Sequence, residues 1–88
     1  MTLEEFEKWL LNNWFEYNNN TKHYIFYIDP TDKGDCFNVY VNQDYCSISI
    51  IEKHIFPDLQ IKRSCEIAIK AFHNFDKAKE FIKLLIEE

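Results

Sequence analysis

The chain has 88 residues, enough for one domain (1–88) built around one core. Its formal charge of −5 argues against a general nucleic-acid binder and against docking on anionic membranes, because both need a basic surface. Hydrophobic residues at 47% and aromatics at 17% exclude a disordered chain, and the single glycine excludes a glycine-rich phosphate cradle.

The first predicted element is a helix over residues 3–15. Thr2 followed by Glu5 has capping-box spacing, and Glu4, Glu5 and Glu7 lie where the helix dipole favours acids. Leu3, Phe6, Leu10 and Trp14 draw one apolar stripe, flanked by Trp9 and Leu11. The asparagine run Asn18, Asn19 and Asn20 closes the segment. Three strands follow, over residues 22–28, 36–42 and 45–52. The stretch between the first two, from Asp29 to Asp35, holds Pro30 and Gly34 and reads as a loop.

The second hairpin has a definite register. With Gln43 and Asp44 as its loop, Val41 faces Cys46, Val39 faces Ile48 and Phe37 faces Ile50, all on one face. Tyr40 with Ser47 and Asn38 with Ser49 take the other face. A slip of one residue destroys the sorting, so the sheet is expected to bury one face and wet the other. Over residues 59–71 the odd positions are apolar at six of seven places, Arg63 excepted, which favours a fourth strand. Cys65, Ala68, Ile69 and Phe72 would also share a helix face, so the helical alternative stays open. A closing helix covers residues 75–87, capped by Asn74 and striped by Phe75, Ala78, Ile82 and Leu85. The expected fold class is α+β: an antiparallel sheet of three to four strands with the N-terminal and C-terminal helices on one face, in the order α-β-β-β-β-α.

No constellation carries chemistry. The start lacks a signal peptide's basic and apolar regions, and no apolar run approaches the ~20 residues of a membrane span. A cytoplasmic, reducing setting is expected, with Cys36, Cys46 and Cys65 acting as small hydrophobes. No CxxC or HxxxH pair exists for zinc, and no local signature couples a cysteine to His23, His54 or His73. The loop from Asp29 to Asp35 departs from calcium-loop spacing, and Lys33 places a cation in it. No enzyme, metal or cofactor is therefore expected.

What remains is surface. The strand Tyr24, Ile25, Phe26, Tyr27 is apolar on both faces, so some large side chains must face away from the helices. The leading expectation is a small acidic protein that binds a partner with a basic surface. A concrete form is an inhibitor of the phage anti-defence type, anti-CRISPR-like, or of the antitoxin or immunity type. It would occlude a nucleic-acid-binding surface without touching nucleic acid itself. Asp29, Asp32, Asp35 and Asp44 are the candidate acidic contacts, and Tyr24, Phe26 and Tyr40 the candidate aromatic anchors. The Asn-, Lys- and Ile-rich composition suits an AT-rich coding sequence of a phage or a low-GC bacterium. The rival expectation is a self-associating module that forms a homodimer through an exposed aromatic sheet face.

Overall fold

The computed structural model describes residues 1–29, 31–56 and 61–87, and the side chains of all of these except 32, 33, 53–56 and 61–65. The first helix, α1 (Leu3–Asn12), begins at the expected capping box. The Glu5 N–H donates to the Thr2 hydroxyl at 3.2 Å, and the Thr2 N–H donates to the Glu5 carboxylate at 3.0 Å. These bonds, the backbone one foremost, hold the Glu5 carboxyl below its usual range.

The helix ends three residues before the expected boundary. The Asn13 and Phe15 N–H groups both turn back to the Leu10 carbonyl, at 3.0 and 3.1 Å, while Trp14 adopts a left-handed φ of 73°. The bond from Phe15 to Leu10 is the long closure of a Schellman turn. It tucks Phe15 into the core beside Leu10 and frees the next residues from the helix. Those residues form β1 (Glu16–Asn18), a short strand not anticipated from the sequence.

β2 (His23–Asp29), β3 (Asp32–Val41), β4 (Cys46–Phe56) and β5 (Ile61–Phe72) follow. Each strand pairs antiparallel with its sequence neighbour, giving one five-stranded meander, β1-β2-β3-β4-β5. The helical alternative for residues 59–71 is thus resolved in favour of a strand from Ile61 onward, and residues 57–60 lie outside the described ones. The expected loop between β2 and β3 is also shorter than read, because Asp29 pairs with Asp32 and Gly34 sits within β3.

The hairpin of β3 and β4 has the expected register: Val41↔Cys46, Val39↔Ile48 and Phe37↔Ile50. Its turn is closed by the Asn42 N–H donating to the Tyr45 carbonyl at 2.9 Å. In β5 the alternation breaks once. Ile48 pairs with Lys70 but Ser49 with Ala68, so Ile69 is an extra residue and the strand bulges there. The described pairing of β4 with β3 runs as far as Ile51, opposite Cys36. The pairing of β4 with β5 continues as far as Phe56↔Ile61. The molecule is accordingly long, 48 × 23 × 22 Å. Residues 52–56 extend β4 past the expected end at Glu52, and the side chains of Ile55 and Phe56 lie outside the described residues.

α2 (Phe75–Ile86) starts at Asn74, whose side-chain oxygen accepts from the Asp76 and Lys77 N–H groups at 2.9 and 3.2 Å. The helices run side by side in the same direction. Their N-termini meet where the Met1 ammonium reaches Asp76 at 3.1 Å, Phe6 stacks on Phe75 at 5.2 Å, and Lys79 sits 5.7 Å over the Trp9 ring. Both lie on the sheet face carrying Tyr24, Val39, Cys46 and Ile48, which with Phe6, Leu10, Phe15, Ala78 and Ile82 make the core. Each such large side chain, fully buried, contributes about 1.5–3 kcal/mol.

Tyr24 is the polar exception in that core. Its hydroxyl donates to Glu7 of α1 at 2.5 Å, a charge-assisted bond that pins the helix to β2. Burial first, then this bond and the Glu7 charge, push the phenol far above its ordinary range. A raised folded-state value means the unfolded chain loses the proton first, so stability is complete below the ordinary value of 10.0 and falls as pH rises past it. Tyr24→Phe is expected to cost about 1–2 kcal/mol at neutral pH and to flatten the loss of stability above pH 10.0, as urea titrations at several pH values would show. An unchanged alkaline slope would dissociate Tyr24 from that loss.

Candidate binding face

Alternation along the strands defines the helix-free face. From β2 it receives His23, Ile25 and Tyr27; from β3, Cys36, Asn38 and Tyr40; from β4, Ser47, Ser49 and Ile51; from β5, Glu66, Ala68 and Ala71. The pairings place these in rows across the sheet, such as Ile25, Asn38, Ser49 and Ala68.

This face corrects the aromatic expectation. Tyr24 and Phe26 turn to the helices: Tyr24 is buried in the core, and Phe26 packs on Phe15 at 5.3 Å between ring centres. Tyr40 does lie on the free face, as expected from the hairpin register. It stands in a row of rings that the sequence reading missed. His23 lies 5.4 Å from Tyr40, Tyr40 lies 6.2 Å from Tyr45, and Tyr45 lies 6.1 Å from His73. His23 joins Tyr40 by strand parity only once β2 is registered on β3.

The acidic expectation fares differently. Asp29 ends β2 and Asp35 lies near the start of β3, at one end of the sheet, and both are exposed. Asp44 lies in the β3–β4 turn, at the opposite end. The side chain of Asp32 lies outside the described residues. Consecutive turns of a meander fall at opposite ends, so the described aspartates do not form one patch. Asp29 is also occupied locally, accepting from the Thr31 N–H at 2.9 Å and its hydroxyl at 2.7 Å. Acids on the free face itself are Glu16 and Glu66, both exposed. Glu66 accepts the Ser49 hydroxyl at 2.7 Å. No lysine or arginine with a described side chain lies on these rows.

The centre of the face is dry although the core helices lie on the other side. Cys36, Asn38 and Ser49 are 3%, 5% and 8% exposed. The Asn38 Oδ1 and the His23 Nδ1 are buried without a hydrogen-bond partner. An unmet buried acceptor costs about 1–3 kcal/mol, so a central strand of a small domain carries an avoidable penalty here.

Cys36 and Cys46 are buried and in no disulfide, and burial pushes the Cys46 thiol up to about 11, away from the reactive thiolate at neutral pH. Among the described residues no three of His, Cys, Asp and Glu gather closely enough to hold a metal ion. No helix of the described residues is long and apolar enough to cross a membrane.

Asn38→Val removes the orphan acceptor from a strand position that favours β-branched residues. It is expected to raise stability by about 1 kcal/mol in urea unfolding with an unchanged slope; a loss of stability would mean that the amide is satisfied in solution. No protein-family model matches the chain, and no curated protein and no solved structure matches it, so the chemistry of this face is the guide to its role.

Proposed function

We propose that the protein is a non-enzymatic binding module that seats its helix-free sheet face on a basic protein surface and acts by occluding it. The observation that carries this reading is the uncovered row His23, Tyr40, Tyr45 and His73 beside an unmet acceptor, Asn38, on a face whose described charges are Glu16 and Glu66. Tyrosine faces receive arginine side chains by stacking, and the two carboxylates attract them. The chain's charge of −5 supports a basic protein partner over nucleic acid. Occlusion of a partner's phosphate-binding surface, as in an anti-defence protein or an antitoxin, is the form that suits a chain of 88 residues with this charge.

A second reading is self-association through β5. Residues 66–71 of this edge strand are all exposed, with Ile67 at 46% and Ile69 at 38%. Long open edges pair readily with further strands. Sedimentation as a monomer at high micromolar concentration would exclude it.

The direct test is capture from the source cell with tagged protein, wild type beside Tyr40→Ala and Glu66→Gln. A basic partner released by rising salt is expected, with at least about tenfold weaker binding to Tyr40→Ala, the loss of a hot-spot ring. Equal retention by both variants would remove the sheet face from consideration.

A further inference from the structure

The left-handed backbone at Trp14 is the least economical feature of the chain. In a Schellman turn the residue after the helix cap takes positive φ, and glycine is the usual occupant because it has no Cβ. Here the occupant is a tryptophan at φ 73°, a genuine outlier for a bulky residue. Lys22, at φ 62°, closes the β1–β2 loop with its N–H on the Asn18 carbonyl and keeps a flexible side chain in water. Trp14 instead spends a large apolar ring on solvent, at 85% exposure. Neither the core nor the turn uses that ring: the turn is made by the Phe15 and Leu10 backbone and their buried side chains.

We propose that Trp14 is a binding anchor held out by the Schellman turn, and that its occupant is a basic protein surface whose arginine stacks on the indole beside an aliphatic contact. Leu11, 53% exposed one helical turn earlier, and Tyr17, 42% exposed on β1, extend the apolar surface on either side of it in the chain. The charge of the surroundings fixes the partner's sign. Glu4 and Glu7 lie seven and four residues before Leu11 on the same flank of α1, and Glu16 follows two residues after Trp14. Lys8 is the one base in α1. Asp29 and Asp35 lie at the same end of the sheet as the turn. Tryptophan is the strongest of the aromatic partners for a cation, and an acidic rim draws the cation in. This anchor sits at the β1 edge and stands independently of the helix-free face.

Two measurements on the intact chain test it together. Trp14→Gly should relieve the strain and lower the unfolding equilibrium constant about 5- to 30-fold in urea titrations. In NMR, the Trp14 indole N–H should shift on titration with a blocked peptide alternating arginine and leucine. The shift should weaken with salt and be absent with aspartate in place of arginine. Three results would each overturn the proposal: a Trp14→Gly chain no more stable than wild type, a peptide that moves the Tyr40 signals but not Trp14, or a Trp14 signal that shifts with protein concentration alone. The second of these would leave the sheet-face reading intact. A peptide that moves Trp14 but not Tyr40 would do the reverse.

Discussion

The register between β3 and β4 is the constraint on which the rest depends. Val39 opposite Ile48 and Val41 opposite Cys46 build the floor on which both helices rest, and three of these four side chains are at most 1% exposed. A slip of one residue would send them to the other face and present Asn38, Tyr40, Ser47 and Ser49 to Phe6 and Leu10. The same parity runs into β2, where Tyr24 pairs with Val39 and Phe26 with Phe37. Core and free face are therefore one decision. Whatever specifies Val39 for the interior also specifies Asn38 and Tyr40 for the exterior.

That decision was legible where polar and apolar residues alternate, and illegible where they do not. The β3–β4 hairpin could be registered residue by residue because serines and asparagine mark its other face. The strand from His23 to Asp29 could not, since Tyr24, Ile25, Phe26 and Tyr27 offer both faces equal apolar area. Its orientation is settled by contacts distant in sequence, the Tyr24 hydroxyl on Glu7 and Phe26 on Phe15. The early end of α1 was hidden for a related reason. Trp14 continues the apolar stripe in sequence, while the turn that stops the helix uses Leu10 and Phe15 and puts a tryptophan where glycine is the signal. β1 is three residues long and exists because that turn redirects the chain. In β5 an alternating pattern was the right sign of a strand, yet the extra residue Ile69 shifts the phase, so Ala71 lands opposite Ser47 on the free face. The candidate site was only partly legible, because its rings come from four separated places that adjoin only after the meander is assembled.

The exposed edge and the exposed rings are not equivalent liabilities. β5 carries two devices that commonly guard an edge: the bulge at Ile69, which breaks a straight ladder, and Lys70, whose Nζ sits 5.2 Å over the Phe72 ring. Trp14 carries no such guard, and Asn38 remains an unmet acceptor at the centre of the sheet. Left-handed backbone at a non-glycine residue costs about 1–2 kcal/mol and an unmet buried acceptor about 1–3. A domain of this size has only about 5–15 kcal/mol of net stability in total. The inner core, by contrast, satisfies its one buried hydroxyl and packs Phe6, Leu10 and Val39 at 0% exposure. A chain that obeys local rules inside and breaks them on two outward surfaces has its exceptions where a partner would meet them. Those exceptions, with acids nearby, are the ground on which a cationic protein partner is proposed.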